Sequence, residues 1–551
     1  MRERTIITCQ LLLAITSGAQ PDILQAQAAQ PSASASTAQR FDVHEYRVLG
    51  NTVLSPRQIE AVLYPRLGNG KTFADVEAAR AALEAAYHSL GFGTVFVDIP
   101  PQEVNEGIVR LRVTEGRVHE RTISGARYFS EGKILEALPA TQPGTVPKLP
   151  ELQKQLDALN VQTQDRSVVP FLKAGPDPGT LDLALKVDDH LPLHGSLEVD
   201  NQNTPETKLL RATGTLSYNN LFQDLDSISV LYTSAPQSTS EVRVGNVTYG
   251  FRPLGEGIRP SLSFTDSRSN VAAVGTLGVL GDGDIYGAHV SVPLAALPGN
   301  LQTLTVGLDY KHFLNSIYLA PSSTTAPSST GEPAASVAIE PISYVNATLA
   351  YGGAWQWGSP PGDMPRHMAA FDLAVNVGPR GLANETLNFD SNRFMARGNY
   401  AYLRGDASFS TRLPASFSLT LRAAGQAALE PLVVYEQMAI TGADGVRGYL
   451  ESEALGDTAL KGSVQLQSPP VKRGTFLFGD AFVFFDAGHS HYIDALSGEP
   501  EHIILRSRGA GLELLPGHSV TGSLTWAQPL TPGPYTRAHA SRLLFDLKGS
   551  F

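Results

Sequence analysis

The end of the chain carries its most restrictive pattern. Leu543, Phe545, Leu547, Gly549 and Phe551 fall on one side of an extended strand and Arg542, Asp546, Lys548 and Ser550 on the other, with Leu544 the exception. Side chains alternate faces along a strand, so this segment is apolar on one face and polar on the other. An outward apolar stripe that closes on an aromatic fits the last strand of a membrane barrel, whose terminal ring lies at the membrane interface. The edge strand of a soluble sandwich would need a continuous apolar core behind it. Composition speaks against that core: 42% of residues are hydrophobic and 17% charged, below the usual values of about 45–50% and about 25%. With 22 Phe and 18 Tyr, the chain is not disordered either. No run of about 18 apolar residues occurs, which excludes helical membrane spans.

The segment from Leu193 to Phe551 has the texture of barrel wall throughout. Stretches that alternate apolar with small or polar residues recur between clusters of Gly, Pro, Asn and Ser. Leu210, Ala212, Gly214, Leu216 and Tyr218 supply a lipid side, and Arg211, Thr213, Thr215 and Ser217 a lumen side. These roughly 359 residues give about 22 per strand and connection for sixteen strands, and a spanning strand takes about 9–11. Eight strands would leave about 45 residues each, too many for compact loops. Counting alone does not separate fourteen strands from eighteen.

At the other end, Arg2 and Arg4 precede the apolar stretch Ile6 to Ile15, and Ala26-Gln27-Ala28 offers a small-x-small cleavage site. Residues 1–28 are therefore expected to be a signal peptide and 29–39 a Gln/Ala/Ser-rich linker. The same stretch also reads as a loose tail with a chance apolar run, because Gln10 interrupts it and Glu3 dilutes its basic start. The only cysteine, Cys9, would leave with the signal peptide, so no disulfide framework or thiol metal site is expected. Export of a cysteine-free chain points to a bacterial envelope protein. A net charge of −11 disfavours nucleic acid as a partner.

Between these ends lie two small α/β modules. Tyr46 and Val48 form a strand that stops at Gly50. Ser55-Pro56-Arg57-Gln58 starts a first helix with a capping box, and a second runs from Thr72 with Val76, Ala79, Leu83, Tyr87 and Leu90 on one face, ending at Gly91. Strands follow at Val95–Ile99 and Val109–Val113, giving β-α-α-β-β. The order recurs: a strand at Thr122–Ser124, helices carrying Ile134, Leu135 and Leu138 and then Leu152, Leu156 and Leu159, and strands at Val168–Leu172 and Leu181–Val187.

These residues carry a family resemblance. Gly50-Asn51-Thr52, Gly91-Phe92, the run Pro100 to Gly107 and Val113-Thr114-Glu115-Gly116 resemble the first polypeptide-transport-associated (POTRA) domain of two-partner secretion transporters, the haemolysin secretion/activation (ShlB/FhaC/HecB-like) family. Leu159-Asn160 and the segment Phe171 to Val187 resemble the second. The resemblance implies POTRA domains at 40–118 and 119–191 and a barrel of about sixteen antiparallel strands at 192–551. Tyr218 to Ser227 is similar to the first hairpin turn of these barrels. Val446-Arg447-Gly448-Tyr449 matches the motif of their sixth long loop, and Phe484-x-Asp486-x-Gly488 that of a neighbouring inner-wall strand. In that family the loop folds into the lumen, which implies an Arg447–Asp486 latch; a guanidinium fork suits a carboxylate in such a role. The chain departs from the pattern at Ser463-Val464-Gln465-Leu466-Gln467, which lacks an acidic second partner for Arg447. Phe545, Leu547 and Phe551 resemble the terminal signal read by outer-membrane assembly machinery.

Other patterns point nowhere catalytic. Gly68-Asn69-Gly70-Lys71-Thr72 lacks the first glycine of a phosphate loop, having Pro65 there, and Thr72 reads as a helix cap. Gly281-Asp282-Gly283 reads as a hairpin turn. His489 and His491, without a third ligand, read as polar loop residues, so no metal is expected. No catalytic constellation and no cofactor site is found, and the chain is expected not to be an enzyme. The resemblance implies transport of a haemolysin- or adhesin-like β-helical exoprotein through the outer membrane by a monomer. An assembly factor that inserts other barrels is the alternative, and a passive porin or receptor would leave the modules unexplained.

Overall fold

A computed structural model describes residues 40–205, 207–255, 257–269, 272–273, 279–294, 300–315, 341–358, 365–382, 386–473, 477–514 and 519–551. The expected signal peptide and linker and the Ser/Thr/Pro-rich stretch 321–335 lie outside these residues. The described chain divides into two compact units, one ending at Pro192 and the other beginning at Leu193.

The first unit holds two modules of one plan. In the first, Glu45–Leu49, helices Pro56–Leu63 and Phe73–Ser89, and strands Val95–Asp98 and Ile108–Glu115 follow in order. Ile108–Glu115 is the middle strand, parallel to Glu45–Leu49 and antiparallel to Val95–Asp98. Gln58 accepts the Ser55 N–H at 3.0 Å and Asp75 the Thr72 N–H at 2.8 Å, so both helices start where free backbone donors find side-chain acceptors. Val76, Ala79, Leu83 and Tyr87 form the buried stripe of the longer helix; Ala79, Leu83 and Tyr87 pack with Val95, Leu111 and Val113, and Val76 with Val43 and Val109. Gly68–Lys71 is a further strand, paired with Phe41–Val43 and leading into the Thr72 cap. The second module repeats the plan with Arg117–Ser124, helices Glu131–Glu136 and Leu149–Val161, and strands Arg166–Ala174 and Thr180–Asp189, the last in the middle.

One device recurs in both modules. Gly50 and Gly125 end the first strands with φ of +82° and +90°. A Cβ on Gly50 would stand 2.4 Å from the Val113 carbonyl oxygen, and one on Gly125 would stand 2.1 Å from that of Val187. Two residues after each valine a buried carboxylate grips the turn. Glu115 accepts the N–H groups of Thr52 (2.7 Å) and Val53 (3.0 Å), and Asp189 those of Arg127 (2.8 Å), Tyr128 (2.8 Å) and Phe129 (3.2 Å). The glycine lets the chain pass against the sheet, and the carboxylate supplies charge-assisted acceptors for donors that no strand satisfies.

The second unit is a closed antiparallel barrel that runs from Leu193–Asp200 to Arg542–Ser550, where the last strand pairs with the first. It has sixteen wall strands; the short Val471–Arg473 extends the pairing of Thr458–Gln467 against Leu477–His491. Side chains alternate as expected: Phe482, Phe484, Asp486 and Ser490 are buried inside, whereas Val483 and Phe485 face outward. Leu543, Leu547 and Phe551 form the outward stripe, with Phe551 72% exposed, and the exceptional Leu544 is an inward, buried residue. The Tyr218–Ser227 segment forms a hairpin turn, carried by left-handed Phe222, Gln223 and Leu225, but it joins the second and third wall strands, Arg211–Leu221 and Asp226–Ser234; the first hairpin pairs Leu193–Asp200 with Arg211–Leu221. Gly281-Asp282-Gly283 is not a turn: Asp282 and Gly283 lie in the strand Asp282–Pro293, and Gly283 is there because a Cβ would meet the His312 carbonyl oxygen at 2.1 Å. The closing seam has five backbone pairs, Asp546↔Asp200 to Ser550↔Ser196, against eight on the other side of Leu193–Asp200. Above them the Asn201 side chain stands in for a strand, donating to the Leu543 carbonyl (2.8 Å) and accepting the Phe545 N–H (2.9 Å).

Candidate functional site

The sixth connection at the barrel end away from Leu193, residues 429–457, joins Ser418–Ala428 to Thr458–Gln467 and turns back into the interior. Its tip holds the motif arginine. Arg447 Nε lies 2.8 Å from Asp486 Oδ2 and Nη2 2.8 Å from Oδ1, a two-pronged pair, and the Arg447 backbone N–H adds a 3.1 Å bond to Oδ2. Asp486 is fully buried. The remaining donors go to neutral acceptors on the neighbouring strand, Nη1 to Gln465 Oε1 and Nη2 to Ser463 Oγ, both at 3.0 Å. Ser463 lies directly opposite Asp486 and Gln465 opposite Phe484 in the wall. Where a second acid is absent, two uncharged oxygens therefore complete the guanidinium's hydrogen bonding. The guanidinium carbon sits 3.4 Å above the Phe484 ring, a close cation–π stack.

The spacing of Phe484, Asp486 and Gly488 follows from the strand's period of two: all three face inward. They present a ring, a carboxylate and a notch. A Cβ on Gly488 would be 2.8 Å from Val446 Cγ2, so the missing side chain is the seat of Val446. Val446 is buried there with Ile440, Met438, Tyr449 and Leu505. Gly448 turns at φ +95° with Ala527 and Pro529 within 3.2 Å of where its Cβ would be. Tyr449 donates its hydroxyl to the Thr531 carbonyl at 2.6 Å, and Arg542 Nη1 binds the Tyr449 carbonyl at 2.8 Å. Phe484 rests over Gly509 and Phe482 over Gly511, where added Cβ atoms would stand 2.4 and 2.3 Å from the rings. Of the residues named from the sequence, the structure brings Val446, Arg447, Phe484, Asp486 and Gly488 into one cluster with Gly448 and Tyr449 beside it. Phe545, Leu547 and Phe551 lie apart, on the last strand.

Three further anchors escaped the sequence reading. Glu436, buried, accepts from Lys311 Nζ (2.5 Å), Tyr344 Oη (2.6 Å) and Tyr402 Oη (2.7 Å). Glu453 accepts the N–H groups of Leu450, Tyr535 and Thr536 at 2.7–2.8 Å, tying the loop to the connection before the last strand. Asp457, also buried, accepts from Leu432 N–H, Gln437 Nε2 and Ile493 N–H at 2.9–3.0 Å. Burial pushes the neighbouring Glu451 carboxyl up to about 7, and it accepts the Ala443 N–H at 2.6 Å. Under the tip lies a cavity of about 390 Å³ lined in part by Asp406, Arg422, Asp444, Arg447 and Lys461. Glu436→Ala leaves the Lys311 ammonium and two tyrosine hydroxyls without their acceptor, at an expected cost of about 3–5 kcal/mol to the docked loop. Protease added to intact cells should then cut between 429 and 457 in the variant and spare the parent.

Residues 41–116 match the family "POTRA domain, ShlB-type", and residues 363–514 match "Haemolysin secretion/activation protein ShlB/FhaC/HecB". The chain is 24% identical over 428 residues to the outer membrane transporter CdiB of Dickeya dadantii, covering 76% of this chain and 70% of that one. It is 21% identical over 507 residues to the heme/hemopexin transporter protein HuxB of Haemophilus influenzae, covering 89% and 84%. The solved CdiB from Escherichia coli superposes with a TM-score of 0.57 at 19% identity, over 95% of this chain and 93% of that one. BamA from Haemophilus ducreyi lacking POTRA domains 1–3 gives 0.55 at 13% identity, over 93% and 100%. The likeness to both solved structures is one of fold.

Proposed function

The chain is a member of the two-partner secretion outer-membrane transporters of the haemolysin secretion/activation type, and we propose that its sixth loop is the gate through which a β-helical exoprotein is released. The family places the barrel in the outer membrane with POTRA domains in the periplasm, and its members carry an exoprotein partner across. The bidentate Arg447–Asp486 pair inside the lumen supports the finer reading. It pins a loop across the route a substrate would take, and it is built from a single ion pair, which is a positioning device rather than a large stability term. The expected boundary at 118/119 shifts to 116/117, because Arg117 and Val118 begin the first strand of the second module and pair with Thr180 and Leu181; residues 40–116 and 117–191 would be the two POTRA domains and 192–551 the transporter domain.

Capture is assigned to the sheet edges of the modules. Arg166–Ala174 is an outer strand with exposed Val169 and Phe171 around Pro170, a residue tolerated at an edge because it has no N–H to give. An unfolded substrate segment adding there as a strand gains backbone bonds and apolar contact together. The sequence has no nucleotide motif, so folding of the exoprotein outside the cell would supply the driving force. The outward Leu547 and Phe551 support recognition of the last strand by the barrel assembly machinery, with the transporter acting as a monomer.

Likeness to BamA carries the alternative of barrel assembly. Deleting the chain's gene in cells that make its exoprotein substrate separates the two. Secretion predicts exoprotein retained in the periplasm and a normal complement of other outer-membrane barrels; loss of those barrels with secretion intact would overturn it.

A further inference from the structure

We propose a transition-metal site of the zinc class at the rim of the barrel, built from His491, His502 and Glu501 and oriented by His489. His489 and His491 are two apart on Leu477–His491 and therefore share a face. The hairpin places His502, the first residue of His502–Leu514, directly opposite His491. Their rings lie 4.6 Å apart at 18°, and the His489 ring lies 5.4 Å from that of His502. Glu501 Oε1 is 3.6 Å from His491 Nε2 and 3.5 Å from His502 Nε2. One ligand atom from each of these three residues falls within 4.8 Å of the others.

The separations suit one ion. A tetrahedron with arms of about 2.0–2.1 Å has edges of about 3.4 Å, so both histidine-to-carboxylate distances are those of neighbouring ligands before a small closure. The third histidine, His489, settles the proton. His489 Nε2 and His502 Nδ1 are 3.2 Å apart, and one of them must carry the hydrogen. With His502 Nδ1–H donating to His489, His502 Nε2 is left as an unprotonated nitrogen 3.5 Å from Glu501 Oε1. A ligating imidazole whose other nitrogen donates to a fixed acceptor is the usual outer-shell arrangement. Two neutral imidazoles and one carboxylate suit zinc or copper rather than calcium or magnesium, which prefer oxygen.

The site has an architectural context. It stands at the foot of the connection 492–501, whose Ile493 N–H is held by Asp457 (2.9 Å) and whose Glu499 pairs with Arg393 (3.1 Å). Asp457 ends the loop that carries Arg447. An ion clamped across the hairpin would therefore stiffen the connection against which that loop terminates.

The test uses the full chain, free of any polyhistidine tag, in detergent micelles. Zn²⁺ is titrated in competition with a chromophoric chelator, and Co²⁺ is added separately to read the ligand field. We expect one Zn²⁺ per chain and visible Co²⁺ absorption, with His491→Ala and His502→Ala each weakening binding at least 30-fold. His489→Ala should weaken it about tenfold, as an outer-shell partner does. Glu501→Gln serves as a gentler variant, and unchanged heat-modifiable migration in gels verifies each barrel. Parent protein that holds no more Zn²⁺ than the His491→Ala/His502→Ala double variant, or that gives no Co²⁺ absorption, would overturn the site.

Discussion

Arg447→Ala is expected to cut exoprotein secretion at least tenfold while the barrel still inserts in the outer membrane. The change removes both prongs of the ion pair, the hydrogen bonds to Gln465 and Ser463 and the stack on Phe484. Asp486, fully buried, keeps only the backbone N–H of residue 447. An unpaired buried charge costs about 3–5 kcal/mol, which lowers the docked population of the loop by a factor of roughly 10² to 4 × 10³. The wall itself is held by sixteen strands of backbone pairing, none of which uses Arg447. A sign prediction sharpens the test. Asp486→Ala in the Arg447→Ala background removes the orphaned carboxylate, so the double variant should dock its loop better than the single one. Accessibility of a cysteine placed at Asp444 to a membrane-impermeant label reports docking, and exoprotein in the medium reports secretion. Normal secretion by Arg447→Ala, with the barrel at parental levels, would remove the latch from the mechanism.

Gly125→Val should unfold the second module and stop secretion without disturbing the barrel. At φ +90° a β-branched residue is in a region it essentially never occupies, and its Cβ would fall 2.1 Å from the Val187 carbonyl oxygen. Neither partner can yield, because one is the end of a strand and the other is middle-strand backbone. Strain and clash together should exceed about 4 kcal/mol. A module of this size has a total stability of roughly 4–10 kcal/mol at about 0.05–0.15 kcal/mol per residue. Limited proteolysis of the purified full chain should cut between 119 and 191 in the variant at protease levels that leave the parent whole. A protease-resistant variant would mean that the turn relaxes, and the shared glycine device would lose its structural claim.

How much of this was legible beforehand follows from the range of each interaction. The helices at 56–63 and 73–89 announce themselves through caps and stripes that lie within a few residues of each other. The alternation of the last strand is equally local, and even its odd residue, Leu544, was visible as an exception whose inward placement only the barrel explains. Arg447 and Asp486 were paired through family resemblance; nothing in the spacing of residues 39 apart dictates that they meet. Glu436 shows what stays hidden. Its partners Lys311, Tyr344 and Tyr402 come from three different strands, each an unremarked polar position in an alternating pattern, and only strand register brings them to one carboxylate. His502 was invisible beside His491 for the same reason. The strand at Gly68–Lys71 was missed because two of its four residues are glycine, which β-propensity places in turns.

The two rings lying on Gly509 and Gly511 give the latch a foundation outside itself. Phe484 is both the surface on which Arg447 stacks and a plate set into a recess of the next strand. The height of that plate, and so the position at which the guanidinium meets Asp486, is set by the absence of a side chain one strand further round the wall. The nearest atoms to a Cβ at Gly509 would be the Trp526 carbonyl oxygen and the Phe484 ring, so a methyl group there would lift the ring and tilt the bed of the ion pair. The bolt of this gate is thus machined across three adjacent strands, 458–467, 477–491 and 502–514: one gives neutral oxygens, one gives the charge, and one gives empty space.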